Sequence, residues 1–182
     1  MAKQTPIPCT KEEMDSLIRA SIEDEFYYLI FKVASKTGRR LGEYYDVQVK
    51  DVDLDRGVMM TKVLKRKKKV YKEAILDYEL VNLIRRYIQK EKLKLDDYLF
   101  RKYSYRSIQR AVDRYSKKAN IPHNVSFHNF RHYFITELFK KGWDYSQIAK
   151  LTGHGSIGTL VGYDSSVASD LKEKALEDIK DL

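Results

Sequence analysis

Between Asp77 and Gly142 apolar residues recur every three or four positions, a period that commits this stretch to amphipathic helices. Leu80, Ile84, Tyr87 and Ile88 form one stripe. Ile108, Val112 and Tyr115 form a second behind a Ser104 cap, and Phe127, Phe130, Phe134 and Leu138 a third that Gly142 ends. Upstream, Thr10 followed by Glu13 is a capping box and predicts a helix over roughly 11 to 20. Phe26, Leu29, Ile30 and Val33 keep the helical spacing up to a stop at Thr37-Gly38. A short helix from Asp144 to Leu151, a small-residue segment and a final helix near 167 to 180 complete the pattern.

One stretch breaks the period. Val47, Val49, Val52 and Leu54 are spaced like short extended segments before the turn signal Asp55-Arg56-Gly57. "VMMTKVL" and "VYKEAIL" then read as two strands joined by a basic hairpin. The expectation is one α+β domain over 1–182, mainly α-helical with a small three-stranded antiparallel sheet. A chain of 182 residues can bury a real core. No apolar run approaches the ~20 residues needed to cross a bilayer, and the N-terminus lacks a secretory signal. Cys9 is the only cysteine, which excludes an internal disulfide and cysteine-based zinc ribbons and favours a reducing, cytoplasmic setting.

The chain carries 35 Lys+Arg against 26 Asp+Glu, a net charge of +9, and such a balance favours nucleic acid as partner. Part of that charge is concentrated: from Lys62 to Lys72 seven of eleven residues are basic. Arg66, Lys67, Lys68 and Lys69 are the candidate phosphate contacts there, against the alternative of a solvated turn. Arg106 and Arg110, with Arg114, lie four apart along the helix after Ser104 and form a second basic stripe, which could equally be a solvated face.

"HNFRH" at 128 to 132 puts His128 and Arg131 on nearly one face of a helix, opposite the phenylalanine stripe, on a polar face that need not enter the core. His132 lies four residues from His128, a spacing that also suits a metal, with His154 as a conceivable third ligand. No Glu follows His128 as in a metalloprotease helix, so no metal is expected. Taken together, arginines and imidazoles suit a phosphodiester transferase: guanidinium groups hold non-bridging oxygens while charge builds, a lysine protonates a departing alkoxide, and a phenol attacks.

Four blocks in order make the sequence resemble the catalytic domain of the tyrosine recombinases, the family of phage integrases and Xer resolvases. "TGRRLGE" at 37 to 43 resembles the family's Thr-Gly-Leu-Arg-x-x-Glu block and assigns the first catalytic Arg to Arg40. Arg39 stands where the family usually has an apolar residue and is assigned to DNA contact. The basic hairpin resembles the two-strand turn bearing the catalytic Lys, with "AIL" in place of the family's usual Val-Pro-Leu and an expected lengthening of the turn. Counting from Gly57 gives Lys65 and counting back from Ile75 gives Lys67, and Lys65 is adopted. "HNFRH" is similar to the His-x-x-Arg box, giving His128 and Arg131, and "TGHGSIGTLVGY" to the box that gives His154 and the nucleophile Tyr163.

The resemblance implies the tyrosine recombinase catalytic-domain fold and site-specific breakage and rejoining of double-stranded DNA through a 3′-phosphotyrosine intermediate, with no cofactor and no metal. It implies a homo-oligomer, a tetramer on DNA, in which the residues after Tyr163 pack on a neighbouring protomer. The family's N-terminal clamp domain has no counterpart, so an excised catalytic domain is expected in preference to a minimal protein. A prokaryotic or viral, DNA-associated protein away from membranes follows. Relaxation of supercoils, as by type IB topoisomerases, and a non-cutting DNA-binding regulator are the alternatives.

Overall fold

A computed structural model describes residues 7–65 and 68–152, and of positions 63–69 nothing is described beyond strand backbone. The order of elements is α1 (Lys11–Ala20), α2 (Glu25–Thr37), α3 (Leu41–Tyr45), a 3₁₀ turn (Val49–Asp51), β1 (Val52–Asp53), β2 (Val58–Lys65) and β3 (Lys68–Ile75). Then come α4 (Tyr78–Glu91), α5 (Tyr105–Lys118), α6 (His128–Lys140) and α7 (Tyr145–Thr152). This is the mainly helical α+β architecture read from the periodicity. The final helix expected near 167 to 180 lies outside the described residues.

Each early helix begins where its sequence says. Thr10 N donates to Glu13 Oε2 at 2.9 Å and Glu13 N donates to Thr10 Oγ1 at 3.2 Å, closing the box that starts α1. Asp24, Asp77 and Ser104 cap α2, α4 and α5 through their side chains. α2 ends at Gly38 in the left-handed region, φ 61°, and there a Cβ would overlap the Phe134 ring. A glycine is therefore required twice over, for the turn and for the close approach of α6.

α6 starts without a side-chain cap of its own, and Asn129 supplies the missing contacts. Its Oδ1 accepts from Ser126 N and Ser126 Oγ, while its Nδ2 donates to Ile7 O. Phe127 and Phe130 then enter the core, against Tyr44 and Phe31 respectively. Burial of each such ring stabilises the fold by roughly 2–3 kcal/mol. α2 packs on α6 and α4, and α1 on α5, around a core that includes Met14, Phe26, Ile30, Ile84 and Ile108.

Two local expectations change. The stretch from Val47 to Leu54 is largely not extended: it is a 3₁₀ turn followed by a two-residue strand. Its backbone groups bond elsewhere, Val49 N to Asp97 O and Lys50 N to Leu95 O, and Asp51 Oδ2 accepts from Gln48 N. The hairpin turn is not lengthened either. Antiparallel register runs from Val58↔Ile75 to Lys65↔Lys68, which leaves only two residues for the connection, so the extra length is in the strands. The sheet order is β1-β2-β3. Among the described residues no helix is long and apolar enough to cross a membrane.

Candidate active site

Arg131, on the second turn of α6, is fully buried, so the polar face of this helix does enter the core. Its Nη1 donates to Gly38 O at 2.8 Å and to Thr152 O at 3.1 Å. Gly38 closes α2 and Thr152 is the last described residue of α7, so one guanidinium draws together carbonyls from the ends of α2 and the described part of α7. A buried cation persists only with such partners. The geometry locks the Arg131 side chain and, with it, the crossing of α2, α6 and α7.

Arg39 and Arg40 are neighbours with opposite fates. The Arg39 side chain turns inward and is 1% exposed, which corrects its assignment as a DNA contact. Its Nη2 donates to Glu73 O at 2.7 Å and its backbone N to Tyr44 Oη at 2.8 Å. Nε and Nη1 of Arg39 are buried with no hydrogen-bond partner among the described residues. Burial accordingly disfavours its charged form and pulls its pKa down. Arg40, in extended backbone at the start of α3, is half exposed. Its Nη1 lies 3.2 Å from Oε1 of the buried Glu43, whose Oε2 accepts from the Arg40 backbone N at 3.0 Å. Glu43 thus orients Arg40, a task that sequence reasoning used only to fix register.

Arg39, Arg40, His128 and Arg131 border one cleft of about 250 Å³, closed on its other side by Tyr105 and Gln109. His128 is the first residue of α6 and is exposed. Burial of its ring and the charges of Arg131 and Arg40 hold its imidazole below the usual pKa. His132 packs edge-on to His128, ring centroids 4.7 Å apart. Burial, then His128 and Arg131, push its pKa down to about 4. At neutral pH both rings are uncharged, so His128 can accept a proton.

Tyr105 and Gln109 were missed by sequence reasoning. Their four-residue spacing on α5 is the same signal that singled out Arg106 and Arg110, shifted by one position. Arg106 and Arg110 are exposed on that helix. Arg114 is occupied otherwise, over the rings of Tyr27 and Tyr115 at 5.3 and 4.8 Å from their centroids. Lys65, Lys68 and Lys69 are described only as strand backbone flanking the turn. Arg66, Lys67, His154 and Tyr163 lie outside the described residues. A larger cleft, about 530 Å³ between α1, α2, α6 and β3, contains none of the expected site residues.

A helical domain with this three-stranded sheet has the fold of tyrosine recombinase catalytic domains. It is similar to the crystal structure of XerA recombinase, with a TM-score of 0.80, 28% identity and coverage of 96% of this chain and 65% of that one. It also resembles XerH site-specific recombinase in a post-cleavage complex with its difH substrate, at a TM-score of 0.78, with 22% identity over 93% of this chain and 52% of that one. In sequence, residues 9–169 match the phage integrase family, and the chain belongs to that family. The tyrosine recombinase XerA of Pyrococcus furiosus is 29% identical over 182 aligned residues, 94% of this chain and 61% of its own length. XerA of Saccharolobus solfataricus is 32% identical over 82% of this chain and 49% of its own length. The chain therefore spans from about half to just under two thirds of the length of these relatives.

Proposed function

We propose that this chain is the catalytic part of a site-specific DNA recombinase that breaks and rejoins DNA through Tyr163. The observation that carries the reading is the convergence of Arg40, Arg131 and a neutral His128 on one cleft. Arg40 offers guanidinium hydrogens to a non-bridging phosphate oxygen from the half-exposed rim, and the buried Arg131 charge supports the developing negative charge from behind. The phenol of Tyr163 attacks the phosphorus in line, and His128 takes its proton. The bond from phosphorus to the 5′ oxygen breaks, leaving a 3′-phosphotyrosine. Lys65 protonates the departing oxygen, which leaves as a 5′-hydroxyl, and His154 adds a donor to the phosphoryl oxygens. A second 5′-hydroxyl then reverses the sequence on a new strand, and no cofactor is consumed.

Double-stranded DNA is the partner in this reading, tracked by Arg106, Arg110 and the basic turn at 66–69. Assembly as a tetramer on DNA, through the 19 residues after Tyr163, belongs to the same proposal. The test is a set of duplexes nicked beside candidate scissile phosphates, incubated without metal or ATP and resolved on a denaturing gel. A covalent DNA–protein band is expected, and Tyr163→Phe should abolish it. A band that survives Tyr163→Phe moves the nucleophile elsewhere. Salt-sensitive binding with no covalent band on any duplex overturns the cleavage reading.

A further inference from the structure

Three side chains from separate parts of the chain, none of them lining the cleft, bring metal-ligating atoms together. Cys9 precedes α1, Glu13 lies in its first turn, and His123 belongs to the loop between α5 and α6. Their thiol, carboxylate and imidazole donor atoms all lie within 4.8 Å of one another. His123 Nε2 is already 3.2 Å from Glu13 Oε2. Around a tetrahedral zinc ion with ordinary bond lengths, neighbouring donors sit roughly 3.3–3.7 Å apart. The donors would need to close by up to roughly 1.5 Å to complete that triangle.

The surroundings favour ligation. His123 Nδ1 lies 3.4 Å from Asn124 O, a carbonyl that can accept from it when Nε2 carries an ion in place of its contact with Glu13. Asn129 Nδ2 donates to Ile7 O two residues before Cys9, and burial with the Glu13 carboxylate pushes the Cys9 thiol up to about 12, so an ion would have to displace its proton on binding. Cys9 is 5% exposed and His123 and Glu13 are partly buried, so a bound ion would be shielded yet keep one position for water. The His123–Glu13 contact needs a proton between nitrogen and oxygen, and a metal ion can take that proton's place.

We propose that Cys9, Glu13 and His123 bind a divalent transition-metal ion, zinc by donor chemistry, that ties the segment before α1 to the loop entering α6. One sulfur, one nitrogen and one oxygen select zinc or cobalt over the oxygen-seeking magnesium and calcium. The site takes no part in phosphoryl transfer. It holds the five-residue lead from His123 to His128 and so fixes where α6 begins.

The test uses the untagged chain, stripped with a chelator and titrated with cobalt. One equivalent should produce a near-ultraviolet thiolate-to-cobalt charge-transfer band and the intense visible bands of four-coordinate cobalt, both bleached by zinc and unaffected by magnesium. Cys9→Ser should abolish the charge-transfer band, and His123→Gln should weaken binding at least ~10-fold. Zinc should raise the melting temperature of the parent chain and of His132→Gln but not of Cys9→Ser. Melts of the metal-free variants show whether each is folded. A missing charge-transfer band, or a zinc-induced shift that persists in folded Cys9→Ser, overturns the proposal. None of these readouts needs DNA.

Discussion

The floor and the rim of the cleft use the same residue type in different ways. Arg131 and Arg39 form the floor, are almost fully buried and are spent on backbone carbonyls: Gly38 and Thr152 for one, Glu73 for the other. Arg40 and His128 form the rim, where Arg40 has one carboxylate partner and solvent on its other side. Floor residues set geometry and hold a fixed positive charge that needs no reorganisation when phosphate arrives. Rim residues can move by a rotamer to touch it. Stability and catalysis should therefore separate by position even between adjacent arginines.

The widest test of that separation is Arg131→Ala. Two helix-end carbonyls would lose a charged donor and a cavity would open, so a stability loss of about 3 kcal/mol is expected in urea melts, together with loss of the covalent product. Arg40→Ala should do nearly the reverse: a 10²–10³-fold drop in the rate of covalent-complex formation, with stability changed by less than about 1 kcal/mol. Equal stability losses in the two variants would erase the distinction between floor and rim.

His132 gives the next largest effect. Its folded pKa, about 4, lies below its ordinary 6.5. Below pH 6.5 the unfolded chain binds a proton that the folded chain refuses. Stability from this group is therefore full above pH 6.5, declines as pH falls and levels off below about 4. Partial solvent access limits the amount to about 2 kcal/mol, and His132→Gln should flatten that part of the pH–stability curve. Arg39→Leu should be smaller still and opposite in sign. Two nitrogens of this guanidinium have no partner among the described residues, so an apolar replacement is expected to be neutral or stabilising by about 1 kcal/mol. A loss above about 2 kcal/mol would show that its bond to Glu73 O outweighs that burial cost. Smallest is Arg110→Ala on α5, which should leave the melt unchanged and lower the salt slope of DNA binding by about one unit.

Much of this was legible in the sequence where local chemistry decides it. Thr10 and Glu13 announce α1 and Thr37-Gly38 closes α2, whereas α6 buries Asn129, Phe130, Arg131, Ile135 and Thr136 and leaves Phe134 and Leu138 of the phenylalanine stripe half-buried. The His-x-x-Arg spacing likewise brought His128 and Arg131 to one cleft. Burial of Arg131 was not legible, because its partners lie 93 and 21 residues away and are carbonyls, which every residue carries. Nor could composition tell Arg39 from Arg40: what separates them is the chain direction at the start of α3, where Arg40 takes extended dihedrals of φ −77° and ψ 151°. Tyr105 and Gln109 were overlooked because charge drew attention to the next position along the same helix. The Cys9–Glu13–His123 cluster was invisible for a related reason, since a single cysteine argues against the ribbon-type zinc sites that sequence spacing can reveal.

The bond from Arg131 to Thr152 O has a mechanical consequence. It moors the chain at Thr152, so everything downstream is leashed from a known point. Tyr163 lies eleven residues further on, and eleven residues at full stretch span roughly 40 Å. Any phosphate this tyrosine reaches, on its own protomer's DNA or on a neighbour's, must lie within that radius of the mooring. In the proposed reaction, removing Arg131 would therefore free the segment that carries Tyr163 as well as take a charge from the cleft.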